Sequence, residues 1–319
     1  MAKLTKLRLA TRGSALALTQ TSIVEGLLRD LGLDIEPIVK VIRTTGDKLQ
    51  RASMANAQAM LPKGLFTKEL ESALMDGKAD VAVHSLKDLP TEMPSGLRLG
   101  AVLMRADVRD VLVVRKNEVA RPKNLRSLPR DSVLATSSTR RRAQVLMHRA
   151  DLNVIEIRGN VGTRLKKLSE SDEFSATILA AAGMDRLGIT ITSDGTVVGE
   201  GVPGGLVACR LSLKQIMPCV GQGAVALQIR EGDEPVARIC QRLNHESTFV
   251  SVSAERAFLR ALGGGCQSPV AAYASVHHGR IELRAISFIG GFVKHGYALG
   301  SIGESEGIGT SLAEQLLLK

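Results

Sequence analysis

Apolar positions in the first third of the chain fall into short continuous runs, separated by segments where they recur every three or four residues. That pattern predicts strands feeding helices and a largely parallel sheet. Residues 6–11 predict a strand. Ser14 then caps a helix whose stripe runs through Leu16, Ile23, Leu27 and Leu31 and stops at Gly32. Residues 35–42 predict a second strand, and 65–75 an amphipathic helix ended by Gly77. The run 79–83 predicts a buried strand that delivers His84, Ser85, Lys87 and Asp88 at its carboxyl end, where ligands sit in open α/β sheets. A second series begins near Arg109, with strands at 111–114, 133–136, 154–157 and 176–180 and helices from Ser138 and Val161. The glycine-rich stretch 190–213 reads as a loop or short hairpin and a boundary, and a strand follows at 224–229. Beyond it the order changes: helices at 235–243 and 248–262, alternating strands around Ala271, Ile281 and Tyr297, and a closing helix.

These elements predict an α/β protein of three domains: 1–108 with 217–234, then 109–216, then a smaller α+β domain over 235–319. A chain of 319 residues, 44% of them apolar, can fill that many cores. The net charge of +10 favours an anionic partner. With no Trp, two Tyr and six Phe, a base-stacking surface for single strands is excluded, while duplex binding by arginines stays open. No run approaches the roughly 20 apolar residues of a membrane span, and the first residues lack a signal-peptide core, so the expectation is a cytoplasmic protein without a membrane partner. Four cysteines, Cys209, Cys219, Cys240 and Cys266, show no zinc-ligand spacing, and they are expected to be reduced thiols with no metal.

Basic residues recur where strands or turns feed helices: Arg12 before Ser14, Lys63 before the 65–75 helix, Arg140 and Arg141 in TSSTRRR, Arg158 and Arg164 in IRGNVGTR. At helix N-termini they join free backbone N–H groups, a setting suited to carboxylates or phosphates. Asp88 stands at the mouth of a buried strand, either as a working carboxylate tuned by desolvation and nearby cations or as the cap of the next turn. His84 reads as a satisfied interior histidine. Cys266 follows three glycines in GGGCQSP, so another group can approach its thiol closely, whereas the other cysteines read as small buried hydrophobes. The residues alone leave open an enzyme, a two-lobed anion-binding module, and a nucleic-acid clamp.

The ordered blocks LATRGSALAL, KGLFTKELE, ADVAVHSLKDLP, ATSSTRRR, IRGNVGTRLKKL, LAAAGMDRLG, VGQGAVALQIR and GGGCQSP span Leu9 to Pro269, and together they resemble the porphobilinogen deaminase (hydroxymethylbilane synthase) family. The resemblance implies two periplasmic-binding-protein-like domains flanking a cleft. It implies a dipyrromethane cofactor joined by a thioether to Cys266, and polymerisation of four porphobilinogen units with loss of ammonia and release of hydroxymethylbilane by a monomer. It places the catalytic aspartate on Asp88. Cofactor-binding residues fall on Lys63, Ser85, Lys87, Thr136, Ser138, Arg140, Arg141, Arg158 and Arg164, and substrate-binding ones on Arg12, Ser14, Arg158, Arg186 and Gln222. Three departures stand out: Ala59 where the family often has a lysine, Arg142 as a third arginine read as a solvated helix face, and a long 190–213 segment.

Overall fold

The structure, a computed structural model, describes residues 5–44, 67–265 and 267–318. Lys63, Ala59 and Cys266 lie outside the described residues. The first lobe contains β1 (Thr5–Arg12), α1 (Ala15–Asp30), β2 (Ile35–Ile42), α2 (Lys68–Met75), β3 (Val81–Ser85) and β4 (Leu97–Val102). The chain crosses into a second lobe with β5 (Asp110–Arg115), β6 (Val133–Ala135), α3 (Thr139–His148), β7 (Asn153–Ile155), α4 (Val161–Glu170), β8 (Ala176–Ala180) and α5 (Ala181–Arg186). A short hairpin, β9 (Thr190–Ile191) and β10 (Val197–Val198), and β11 (Leu206–Arg210) complete it, and the chain returns as β12 (Val225–Arg230). The last part is α6 (Glu234–Leu243), α7 (Glu246–Ala261), β13 (Val270–His277), β14 (Arg280–Ser287), β15 (Lys294–Ser301) and α8 (Ser305–Leu318).

Local chemistry sets these limits. Ser14 Oγ accepts from Ala17 N at 3.3 Å and opens α1, and Gly32 and Gly77, with φ of 63° and 64°, take the left-handed turns that end the α1 and α2 segments. β3 is buried through Val81, Ala82, Val83 and His84, which explains why its sequence runs apolar without alternating.

The two large sheets share one topology. The first runs β2-β1-β3-β12-β4 and the second, read from its far edge, β7-β6-β8-β5-β11. In each, three parallel strands meet an antiparallel crossing strand in the fourth place: β12 beside β3, β5 beside β8. Each sheet is therefore largely parallel, as expected, with four strands running one way and the crossing strand alone opposing them. The sequence carries no matching repeat, because topology constrains only which positions are apolar. Strand β4 lies outside the apolar pattern's predictions, and of the 190–213 stretch, read as a loop or short hairpin and a boundary, the β9–β10 hairpin is present while β11 is an added strand. β11 pairs along β5 from Leu206 to Arg210 and closes the second sheet, so the segment belongs to that lobe's core.

The helix expected to open the third domain belongs to the first lobe. Val236 and Cys240 of α6 pack with Leu7, Leu9, Val24 and Leu227, placing the domain boundary after α6 and not at 235. The third domain is the antiparallel sheet β13-β14-β15 covered by α7 and α8, around Phe258, Leu283 and Leu312. The two helices cross so closely at Gly309 that an added Cβ would overlap the Ala254 carbonyl.

Candidate active site

Parallel neighbours end side by side, so the carboxyl ends of β1 and β3 bring Arg12 and Ser14 next to Ser85, Lys87 and Asp88. After β3 a single 3-10 turn, Leu86–Asp88, buries Leu86 and turns Lys87 and Asp88 outward; Asp88 is exposed. The desolvation expected on one side of Asp88 is thus not supplied by the described residues. Ser85 is held from α1, where Gln20, 2% exposed, donates from Nε2 to Ser85 Oγ at 2.8 Å.

His84 points into the first lobe. Its Nε2 lies 3.0 Å from Gln228 Oε1, and Gln228 Nε2 donates to Glu71 Oε1 at 3.3 Å. The carboxylate fixes the amide's orientation, so His84 carries its proton on Nε2. Burial, against the Gln228 bond and with help from the charge of Arg12, pushes its pKa down to about 4. It is the satisfied interior histidine expected.

In the second lobe the carboxyl ends of β6, β7 and β8 supply the opposite wall. Ser138 caps α3 by accepting from Arg141 N at 3.3 Å, and Thr136 Oγ1 accepts from Ser138 N at 3.3 Å. Asn160 caps α4, which carries Arg164; Arg158 lies just before it, half exposed in a 3.4 Å contact with Glu156. Arg164 spends Nε on Gly159 O at 2.8 Å, and its two terminal nitrogens find no partner among the described residues. Burial and the charge of Arg141 push its pKa down to about 10, with the carboxylate of Asp88 acting in the opposite direction.

Arg140 and Arg141 turn inward. Arg140 Nη2 donates to Asp110 Oδ2 at 2.9 Å, Arg141 Nη2 to Asp110 Oδ1 at 2.7 Å, and their Nη1 atoms to Met217 O at 2.5 Å and Ile178 O at 2.8 Å. Two guanidiniums share one carboxylate that has no exposed surface. Their Nε atoms are buried without a hydrogen-bond partner among the described residues. Arg142 is exposed, as expected, though its Nη1 donates to Val154 O at 2.8 Å.

Gln222 requires a correction. It is 1% exposed, its Nε2 donates to Val108 O at 2.7 Å and Asp110 Oδ1 at 3.0 Å, and its Oε1 faces Arg140 Nη2 and Cys219 Sγ. An amide has two donor hydrogens and two acceptor lone pairs, so Gln222 has nothing left for a substrate. It joins the two lobes where the chain crosses. Arg186 is partly engaged there too, donating from Nη2 to Gly223 O at 2.7 Å. Cys240 and Cys209 are the inert thiols expected, pushed up by burial to about 12 and about 11.

The third domain reaches the same place: Thr139 Oγ1, at the first turn of α3, donates to Gln267 O at 2.6 Å. The loop on which Gly265 and Gln267 flank position 266 therefore meets the arginine wall.

Residues 7–238 match the family model described as "Porphobilinogen deaminase, dipyromethane cofactor binding domain", and residues 249–318 the one described as "Porphobilinogen deaminase, C-terminal domain". A porphobilinogen deaminase of Syntrophomonas wolfei is 42% identical over 313 residues, covering 98% of this chain and 95% of that protein. One of Geobacillus kaustophilus is 44% identical over 276 residues, covering 86% and 82%. Among solved structures, an ancestral cationic amino acid solute binding protein aligns with 75% of this chain and 88% of its own at 12% identity and a TM-score of 0.42.

Proposed function

This chain belongs to the porphobilinogen deaminase family, and from that premise we propose that Asp88 is its catalytic carboxylate and Cys266 the attachment point of its dipyrromethane. The family's reaction joins four porphobilinogen molecules head to tail, each addition losing ammonia, and water releases hydroxymethylbilane. When bound, the dipyrromethane supplies the pyrrole carbon on which the chain starts. The donor set suits such a group, since each pyrrole bears two carboxylates. Arg164 offers two open terminal nitrogens, and Arg140 and Arg141 carry more positive charge than Asp110 neutralises.

The residues divide by position. Ser85, Lys87, Thr136, Ser138, Arg140, Arg141, Arg158 and Arg164, with Lys63, hold the cofactor's side chains. Arg12, Ser14, Arg158 and Arg186 hold those of the incoming substrate. Asp88 accepts a hydrogen bond from the substrate's aminomethyl group, assists its departure as ammonia, and stabilises the positive charge left on that pyrrole. Solvent exposure of Asp88 leaves room for the substrate to complete the enclosure.

The observation that carries this reading is geometric: the ends of β1 and β3 set Asp88 beside Arg12, Ser14, Ser85 and Lys87, and Arg164 of the second lobe keeps two terminal nitrogens without a partner among the described residues. The bond from Thr139 to Gln267 supports Cys266 as the anchor, because it brings the flanking loop to the same wall. We read the enzyme as a cytoplasmic monomer without a nucleic-acid partner; among the described residues no helix is long and apolar enough to cross a membrane. Intact mass tests the anchor: the purified chain should exceed its sequence mass by two linked pyrrole units, and Cys266→Ser should not. Asp88→Asn should keep that added mass and lose turnover of porphobilinogen. Full turnover in Asp88→Asn, or an unmodified and active wild type, overturns the assignments; a pure anion-binding module would release no ammonia at all.

A further inference from the structure

Arg256 on α7 is 7% exposed, and among the described residues no carboxylate pairs with it. Its hydrogen bonds go instead to three consecutive carbonyls: Nη1 donates to Leu89 O at 3.2 Å, and Nη2 to Pro90 O at 2.7 Å and Thr91 O at 3.2 Å. Burial and the charge of Arg260 push its guanidinium down to about 10, with Glu306 acting the other way. Burying a cation without a counter-ion is costly, so an apolar side chain of similar size would suit stability better. What the guanidinium supplies is a fork that gathers the backbone just after Asp88.

One helical turn earlier, Val252 packs in the cluster that contains Leu86 and Leu89. Positions i and i+4 share a helix face, so a single face of α7 grips the Lys87–Asp88 turn on both sides, by apolar contact at Leu86 and by hydrogen bonds at 89–91. Glu255, fully buried beside Arg256, fixes how α7 is rotated. It takes both terminal nitrogens of Arg105, at 2.6 and 3.1 Å, and accepts from Gly221 N and Ala274 N at 2.8 Å each. From Arg256 the helix rises only about 7.5 Å to its end at Ala261. There Leu259 O accepts from Gly264 N at 3.1 Å, and Gly265 N donates to Ser268 Oγ at 2.9 Å, starting the loop that Gln267 ties to α3.

We propose that Arg256 is a positioning residue: by holding the carbonyls of Leu89, Pro90 and Thr91 it fixes the Asp88 turn on α7, and so sets the carboxylate at a constant distance from the loop of Gly265 and Gln267. The proposal rests on Asp88 as the catalytic carboxylate.

The test is Arg256→Ala, assayed as holoenzyme whose intact mass shows the cofactor in place. Loss of positioning lowers kcat for porphobilinogen by about tenfold to a hundredfold with KM within about twofold, because Arg256 meets no substrate. Millimolar guanidinium ion, filling the vacated site, should restore turnover where sodium chloride at equal ionic strength does not. A variant that is merely destabilised would lose further activity in guanidinium. Normal kcat in loaded Arg256→Ala, or a loss that guanidinium deepens, overturns the proposal. If Arg256→Ala yields no folded protein, Arg256→Lys decides it: reduced kcat at constant KM and full cofactor mass supports it, and wild-type kcat refutes it. Asp88→Asn run alongside separates the two readings, since normal turnover there removes the role of Asp88, while a loss there beside an active Arg256→Ala removes only that of Arg256.

Discussion

Replacing Asp110 with Asn removes the charge that two buried guanidiniums share while keeping the side chain's shape. Burial pushes the Asp110 carboxyl up, but the charges and hydrogen bonds of Arg140 and Arg141 hold it well below the usual carboxylate range. In the variant one amide face must meet guanidinium donors with its own N–H, and Arg140 and Arg141, 4% and 6% exposed, lose the one carboxylate that pairs with them among the described residues. Breaking a buried pair on one side costs about 3–5 kcal/mol. With a urea slope of about 3 kcal/mol/M that is a midpoint lowered by about 1–1.7 M. The comparison is Glu306→Gln, which removes the 3.3 Å pair with Arg260 at 42% and 66% side-chain exposure and should cost less than about 1 kcal/mol. Because the folded pKa of Asp110 is depressed, its contribution is complete above the unfolded carboxylate value near 3.9 and is lost as pH falls below it. The gap between wild type and Asp110→Asn should therefore be constant from about pH 6 to 8 and shrink only in acid. Equal midpoints for Asp110→Asn and wild type at pH 7 would refute the view that this cluster holds the lobes' crossing point together.

His84 acts in the same direction but in a higher pH window. Its folded pKa of about 4 lies below the unfolded value, so stability falls as pH drops through that window, by about 2 kcal/mol between pH 7 and 5. Urea midpoints of His84→Gln, whose Nε2 can still donate to Gln228, should lose that part of the pH dependence, and an unchanged slope would show His84 charging freely in the fold. At the crossing, Gly223 has φ of 85°, and an added Cβ would lie 2.7 Å from the Ala106 carbonyl oxygen. Gly223→Ala should cost about 2 kcal/mol or more, against about 1 for Gly201→Ala, which has φ of 67° and open space around it; equal costs by urea titration would mean that the close approach of the two crossing segments is easily relieved.

Much of this could be read from the residues because the chemistry sits where secondary structure changes. Ser14 and Ser138 mark helix starts by capping rules that act over three or four residues, as Asn160 does just before Val161, and the arginines cluster around those starts. Register across long sequence separation is not local in that sense. β12 inserts between β3 and β4 from more than a hundred residues away, and α6 follows β12 into the first lobe because its apolar face meets Val24 and Leu28, which no window around residue 235 contains.

The charged residues that local reasoning passed over share one recognisable trait, which is a charge where the pattern demands an apolar residue. Asp110 opens the strand that continues as the fully buried Val111–Val114, Glu255 falls on the face of α7 that buries Val252 and Leu259, and Arg256 shares a turn with Phe258. A motif assigns function to a residue by its type and neighbours, which is how Gln222 was placed on the substrate. Its saturated amide shows why that fails at a crossing point: the same donor that could bind a ligand is first claimed by whichever buried acceptor would otherwise be left unpaired. Val108 O takes one hydrogen of the amide and Asp110, already held by both guanidiniums, takes the other, and Asp110 is also what leaves Arg140 and Arg141 oriented but in excess. The positive charge of the cleft is thus set by a carboxylate behind it as much as by the arginines in front, and substitutions at Asp110 should alter cofactor retention along with stability.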